Sequence, residues 1–202
     1  MSKQYFENNQ DLAHDVQAHP VHVLGRDYQF YTDHGVFFKT GLDFGSRVLI
    51  ETIIDQKLLA PKILDVGCGY GPIGIILASH LATSDQVHMV DVNERALGLA
   101  QQNAQINGLR DLHIYSSNTY DQVTDQDFDL IVSNPPIRAG KAVVHQILAG
   151  AYDHLKIGGR LLVVIQKKQG APSAQKKMAE VFGNVTELER RKGYWILSAV
   201  KS

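Results

Sequence analysis

Lys62-Ile63-Leu64-Asp65-Val66-Gly67-Cys68-Gly69-Tyr70-Gly71-Pro72-Ile73-Gly74 is an apolar run that breaks into a glycine cluster and restarts behind a proline. So short an apolar run reads as a buried strand, and Pro72 suits the first turn of a helix, where its missing N–H costs nothing. The spacing predicts a helix over 73–81. Glycines between a strand and a helix let the backbone turn tightly and come close to a ligand. The loop therefore reads as a cofactor cradle.

Downstream the same rhythm repeats. Gln86 to Asp91 is a second strand, Asn93 an N-cap, Ala96, Leu97, Ala100 and Ala104 an apolar helix face, and Asn107-Gly108 its stop. Short strands are expected from Leu112 to Tyr115 and from Phe128 to Val132, then a helix over 142–155 that Gly158-Gly159 ends. Leu161 to Ile165 is apolar on both faces, as in a central parallel strand covered by helices on each side. A helix over 174–182 precedes two strand-like runs, Val185 to Arg190 and Tyr194 to Val200, joined by Lys192-Gly193. Strands that close must pair antiparallel, because a parallel return needs a crossover. The expected fold is α/β, a doubly wound, mostly parallel seven-stranded sheet with a C-terminal antiparallel strand. Residues 1–20 read as a polar lead-in.

Bulk properties narrow the class. A chain of 202 residues suits one domain, and 44% hydrophobic with 20% charged residues is ordinary globular usage. No apolar stretch approaches the roughly twenty residues that span a bilayer, and the polar start MSKQYFENNQ lacks a signal-peptide core. The single cysteine fits a reducing compartment, so the cytoplasm is expected. With a net charge of -1, a nucleic-acid partner would need a local basic patch. His19 and His22 are the nearest approach to a metal-ligand pair, and no second pair or cysteine cluster joins them. No metal is expected.

The glycines leave two cofactors open. Gly69-x-Gly71-x-x-Gly74, followed by Asp91 at the end of the next strand, also fits a dinucleotide fingerprint, so a nicotinamide enzyme survives at this point. Asp65 separates the readings: its carboxylate would repel a pyrophosphate but attract an α-ammonium and a sulfonium. That favours S-adenosylmethionine. Asp91 is placed to accept from both ribose hydroxyls, with Val92 beside it, and Asn118 either reads the adenine edge or forms an Asx turn. The bland alternative for Asp65 is a turn-capping acid. Cys68 reads as a small loop-filler.

Phe128-Asp-Leu-Ile-Val-Ser-Asn134-Pro135-Pro136-Ile137 places an amide and a rigid Pro-Pro just past a buried strand, at the sheet edge where ligands bind. Two prolines remove two N–H donors, which leaves acceptors facing a substrate: the Asn134 side-chain oxygen and the Pro135 carbonyl. Acceptors imply a donor. A conjugated amino group is a poor nucleophile, and two acceptors gripping its hydrogens would favour a pyramidal nitrogen aimed at the methyl carbon. A plain strand-ending turn is the competing reading.

Asp65-x-Gly67-x-Gly69-x-Gly71, Asp91 and Asn134-Pro135-Pro136-Ile137 together resemble the class I, Rossmann-like methyltransferases, in the branch with Asn-Pro-Pro and amino-nitrogen acceptors. Tyr31-Thr-Asp33-His-Gly35-Val36-Phe37, Leu42-Asp43-Phe44-Gly45-Ser46 and Ile137-Arg138-Ala139-Gly140-Lys141 are similar to small single-domain relatives of the ribosomal small-subunit RNA guanine-N2 methyltransferases. The resemblance covers most of residues 20–165. It implies one methyltransferase domain over 1–202, with residues 1–45 as an extension that helps line the pocket. It also implies that Asp33 to Phe37 and Gly45 line that pocket, and that Arg138 and Lys141 flank the target base. Two departures stand out. Ile137 is aliphatic where an aromatic often stacks on a flipped base, and Phe38 follows Phe37 where serine is expected. Phe37 or Phe38 is a candidate for the missing stack.

The expected activity is methyl transfer from S-adenosylmethionine to an exocyclic amino nitrogen, guanine N2 of ribosomal RNA, on the free RNA or the small subunit. Competing expectations are methylation of a glutamine side-chain nitrogen on a protein, a non-catalytic RNA-binding module that retains the cofactor loop, and a dehydrogenase. Lys167-Lys168, Lys176-Lys177 and Arg190-Arg191-Lys192 are candidate basic clusters for an RNA surface.

Overall fold

A computed structural model describes residues 16–33 and 41–202. Strands β1 (Gln17–Val23) and β2 (Arg26–Thr32) pair antiparallel as a hairpin. Alternation within β2 sends Tyr28 and Phe30 into the core, so the hairpin docks and does not trail as a polar lead-in beyond residue 16. Helix α1 (Phe44–Asp55) follows, with Asp43 as its N-cap: the carboxylate accepts from the Ser46 N–H at 3.0 Å.

From there β3 (Ile63–Val66), α2 (Pro72–Ala78), β4 (Val87–Asp91), α3 (Glu94–Ile106), β5 (His113–Ser116), β6 (Phe128–Ser133) and α4 (Lys141–His154) alternate. Then come β7 (Leu155–Gln166), α5 (Ala171–Phe182), β8 (Thr186–Arg191) and β9 (Tyr194–Val200). The sheet order is β5-β4-β3-β6-β7-β9-β8, parallel from β5 through β7, with β9 antiparallel to both neighbours. All seven expected strands are present, in the expected doubly wound arrangement. From β3 the chain winds outward through β4 and β5, then returns to β6 on the other side. The carboxyl ends of β3 and β6 therefore part at a topological switch point, where such sheets bind ligands.

Some boundaries differ from expectation for identifiable reasons. Helix α2 ends at Ala78 because His80 and Leu81 bond back to the carbonyls of Leu77 and Ala78 in tight single turns. Helix α5 starts at Ala171, behind Gly170 at φ 112° and with Pro172 in its first turn. Gly158-Gly159 does not terminate α4, which ends at His154 and passes straight into β7. The two glycines lie in an irregular start of that strand, where a Cβ on Gly159 would come within 2.7 Å of the Phe128 carbonyl oxygen.

Two apolar layers sandwich the sheet. One joins α1, α2, α3 and the hairpin, and the other joins α4, α5 and the opposite sheet face. Ser133 Oγ donates to the Val66 carbonyl at 2.7 Å and holds the ends of β3 and β6 together just below the switch point.

Candidate active site

A cavity of about 680 Å³ opens where β3 and β6 part. That is a normal size for a small-molecule site. Gly67, Cys68 and Gly69 form one wall with Asp91, Val92 and Asn118, while Asn134, Pro135, Pro136, Ile137 and Arg138 form another. The walls touch, since a Cβ on Gly67 would sit 3.7 Å from Pro136 Cδ.

The first wall is built by local backbone geometry. Gly67, Gly69 and Gly71 have φ of 75°, 57° and 92°, left-handed values that side chains disfavour. Asp91 ties the loop to the next strand: Oδ2 accepts from the Gly69 N–H at 2.9 Å and Oδ1 from the Asn93 N–H at 2.9 Å. The Val92 N–H bears on the same carboxylate, and the lone-pair capacity left beyond these bonds is open to a ligand. Gly71 and Gly74 are not on the cavity wall. They clear room for Met89, whose atoms would lie 2.7 Å from a Cβ at either position.

Asp65 is also off the wall. It is buried behind the loop, where Oδ2 accepts from the Gly74 N–H at 3.0 Å and Oδ1 has no hydrogen-bond partner. The capping role entertained for it is present, and beside it stands an orphaned buried oxygen. Burial pushes this carboxyl up to about 7, against the Gly74 bond and with a small further push from Asp91. Cys68 is buried as well, and burial ahead of the charges of Asp91 and Asp65 raises its thiol well above the ordinary range. A thiol held protonated is no nucleophile.

Asn118 lies on the wall at a backbone turn, its carbonyl accepting from the Asp121 N–H at 3.2 Å, while its side-chain Nδ2 donates to the Asp121 carboxylate at 3.2 Å, a contact different from the Asx turn. Next to it Thr119, a non-glycine residue at φ 52°, lines the cavity with a buried hydroxyl that has no partner.

The second wall is oriented from far along the chain. Asn134 Nδ2 donates to Ser46 Oγ at 3.0 Å and lies 3.3 and 3.4 Å from the two Asp43 oxygens. A carboxylate only accepts, so chemistry fixes which end of the amide faces α1. The side-chain oxygen then points the other way, with no hydrogen-bond partner among the described residues. The Pro136 carbonyl accepts from the Ala139 N–H at 2.9 Å. The Pro135 carbonyl makes no such bond among the described residues.

Other expected pocket residues lie elsewhere. Asp33 is buried in an ion pair with Arg95 of α3, Gly45 is covered by the Tyr194 ring, and Lys141 is exposed at the start of α4. Phe37 and Phe38 fall outside the described residues. The sequence reading gave no role to Asp43, Ser46, Thr119 or Tyr194, all of which line the cavity. Asp43 carried a signal, a capping acid three residues before Ser46, but nothing local said what lay opposite it.

Sheet order and loop placement put the chain in the Rossmann-like methyltransferase class. More narrowly, it belongs to the methyltransferase small domain family, which matches residues 27–198. The chain is 45% identical to the Bacillus subtilis protein YbxB over the full length of both. It is 36% identical to ribosomal RNA small subunit methyltransferase C of Serratia proteamaculans, over 78% of this chain and 43% of that protein. The chain thus spans less than half the length of that methyltransferase. Among solved structures, the 16S rRNA N2 methyltransferase RsmC of T. Thermophilus, in complex with AdoMet and guanosine, superposes with a TM-score of 0.80 at 27% identity, covering 93% of this chain and 51% of that one. A ribosomal protein L11 methylase from Lactobacillus delbrueckii subsp. bulgaricus shares the fold, with a TM-score of 0.69 at 23% identity and 84% of each chain covered. Among the described residues no helix is long and apolar enough to cross a membrane.

Proposed function

We propose that the chain transfers a methyl group from S-adenosylmethionine to an exocyclic amino nitrogen, and that the acceptor is guanine N2 of ribosomal RNA. When bound, S-adenosylmethionine supplies an electrophilic methyl carbon on a sulfonium. The residues present fit a cationic nucleoside. Gly67 and Gly69 admit close approach, Asp91 offers acceptors to a ribose, and the orphaned oxygen of Asp65 is buried behind the loop where it favours a nearby positive charge. A dehydrogenase is disfavoured by that same buried acid.

The observation that carries the acceptor class is the tethered amide. With its NH2 held by Ser46 and Asp43, Asn134 presents only an acceptor to the cavity, and the Pro135 carbonyl is a second one. Two such acceptors grip the hydrogens of a planar amino group, discourage its conjugation and aim its lone pair. No strong base is needed, because the proton becomes acidic once the nitrogen is alkylated. A paired guanine hides N2, so the base must be extruded or single-stranded. The RNA assignment rests on the likeness to the small-subunit methyltransferases, and a cytoplasmic location is proposed along with it.

Label transfer from S-adenosylmethionine tests this, with ribosomal RNA from a strain lacking the gene as acceptor. The wild-type protein labels guanine N2, and folded Asn134→Ala does not. Undiminished transfer by that variant sinks the mechanism, whereas label in protein glutamine in place of RNA transfers the same chemistry to a different substrate.

A further inference from the structure

The cavity is also lined by a part of the chain that the activity above leaves unused. Tyr194, the first residue of β9, lines the cavity and is only partly buried. Its ring packs against the start of α1: a Cβ on Gly45 would come within 2.9 Å of Tyr194 Cε1, and the Phe44 ring centroid is 5.7 Å away, tilted by 56°. Burial first, then the nearby Asp43 carboxylate, raise the Tyr194 phenol, so the side chain is neutral and stands beside the group that holds Asn134. An aromatic ring is therefore present at the acceptor side, even though Ile137 supplies none.

Cations gather on the two turns that adjoin Tyr194. Lys192 and Gly193 make the two-residue turn between β8 and β9 at φ 49° and 82°, and a lysine occupies the first position, where asparagine or glycine is favoured. Lys192 Nζ lies 4.8 Å from the Phe44 ring centroid. The Gly193 carbonyl accepts from the Lys167 N–H at 2.7 Å, which fastens this turn to the short Lys167–Gln169 helical turn, whose Gln169 also lines the cavity. Lys167, Lys168 and Lys192 are exposed, and none pairs with a carboxylate among the described residues. Neighbouring cations are spent otherwise, Arg190 on Glu187 and Arg191 on Glu51. In a chain of net charge -1, three uncompensated lysines beside an aromatic ring at a cavity mouth form a local cationic field.

We propose that these two fastened turns are a docking surface for a single-stranded RNA segment, in which Tyr194 packs on one face of the acceptor base while Lys167, Lys168 and Lys192 take the phosphates flanking it. This presupposes the RNA acceptor proposed above. Bases stack on aromatic rings without regard to sequence, and lysine reads phosphate as a point charge, so the surface grips the strand while the amide corner selects the amino group.

The test uses the full chain, a labelled single-stranded RNA oligonucleotide containing guanine, and three variants: the triple K167E/K168E/K192E, Tyr194→Ala and Tyr194→Phe. S-adenosylmethionine affinity, measured on each, reports that the fold and the cofactor side survive. The triple variant is expected to bind RNA at least tenfold more weakly at low salt, with a log K against log salt slope shallower by about two, since each single-strand phosphate contact contributes about 0.7. Tyr194→Ala is expected to lower methylation about tenfold or more, and Tyr194→Phe to restore it, because the ring and not the hydroxyl packs on the base. An unchanged salt slope in the triple variant, or a Phe variant as impaired as the Ala variant, overturns the docking surface while wild-type methylation of RNA leaves the acceptor standing. A wild type that labels protein and never RNA overturns both.

Discussion

The two walls of the cavity are built by opposite means. The glycine wall is fixed chiefly by backbone next to it: Gly67 and Gly69 in left-handed conformation, the Val90 carbonyl that accepts from the Gly67 and Cys68 N–H groups, and Asp91 at the end of the same strand, which accepts from the Gly69 and Asn93 N–H groups. In the amide wall the decisive side chain, Asn134, is aimed by Asp43 and Ser46, which lie 91 and 88 residues away in sequence. A backbone cradle orients itself, whereas a lone amide has two ends of nearly equal size and needs an outside partner to choose between them. One wall is thus suited to holding a ligand and the other to directing a reacting atom.

The largest expected effect is a double dissociation between the walls. Asn134→Ala removes an oriented acceptor from the reacting nitrogen, and turnover at saturating cofactor falls about 10²–10³-fold, with cofactor affinity kept. Asp91→Ala does the reverse, weakening S-adenosylmethionine binding about 10²-fold in calorimetry through the loss of two charged hydrogen bonds. Both variants failing in the same parameter would erase the division between walls. Next in size is Gly74→Ala. Its Cβ must displace Met89 Sδ and Cγ, at 2.7 and 2.8 Å, in a packed core, which costs about 1–3 kcal/mol in thermal unfolding. Met89→Ala in the same chain should return part of that loss, and no recovery would mean the glycine serves something other than helix–strand contact.

A smaller effect tests the acid behind the loop. Asp65 titrates near 7, so its charge, and with it the attraction for a cationic ligand, appears as pH rises through neutrality. S-adenosylmethionine affinity should rise about tenfold from pH 6 to 8, and Asp65→Asn should lose that slope. Stability runs the other way. Between about pH 4 and 7 the folded chain holds a proton that the unfolded chain has lost, so stability falls across that window and levels off above it. Identical pH profiles for wild type and Asp65→Asn would remove this acid from cofactor recognition.

Why one wall was readable and the other only half so follows from the same contrast. The strand–glycine–helix succession from Ile63 to Ile106 is legible because its apolar runs, glycines and caps act on their immediate neighbours. The Asn-Pro-Pro corner is legible as a rigid acceptor for the same reason. Its tether is not, because α1 reads poorly as a helix: Phe44–Asp55 carries Gly45 and a run of Val, Ile and Thr that suits a strand, and burial of Val48, Leu49, Ile50 and Ile53 overrides that tendency. Strand β1 hides likewise behind Pro20 and two histidines, with only Val21 and Val23 facing the core. Tyr194 was placed on a strand, yet that it reaches the cavity depends on the absent Cβ of Gly45, which only the packed structure reveals.

The smallest effect bears most directly on how the amide is aimed. Ser46 Oγ, at 3.0 Å, is the best-placed acceptor for Asn134 Nδ2, while the two Asp43 oxygens stand at the long end of hydrogen bonding and one of them, Oδ1, is shared with the cap of α1. Ser46→Ala deletes one bond worth about 0.5–1.5 kcal/mol and leaves the longer pair to hold the amide. Its end-to-end preference weakens but survives, because a carboxylate still faces the NH2 group and still cannot donate. Turnover should therefore fall about two- to tenfold, with cofactor affinity and the melting temperature nearly unchanged, and Ser46→Thr should restore it if its hydroxyl reaches the same place. A fall as deep as that of Asn134→Ala would mean that the hydroxyl touches the reacting group itself. No fall at all would mean that Asp43 alone aims the amide, a result Asp43→Asn should then answer with a greater loss, since an amide opposite an amide no longer fixes which end turns toward the acceptor.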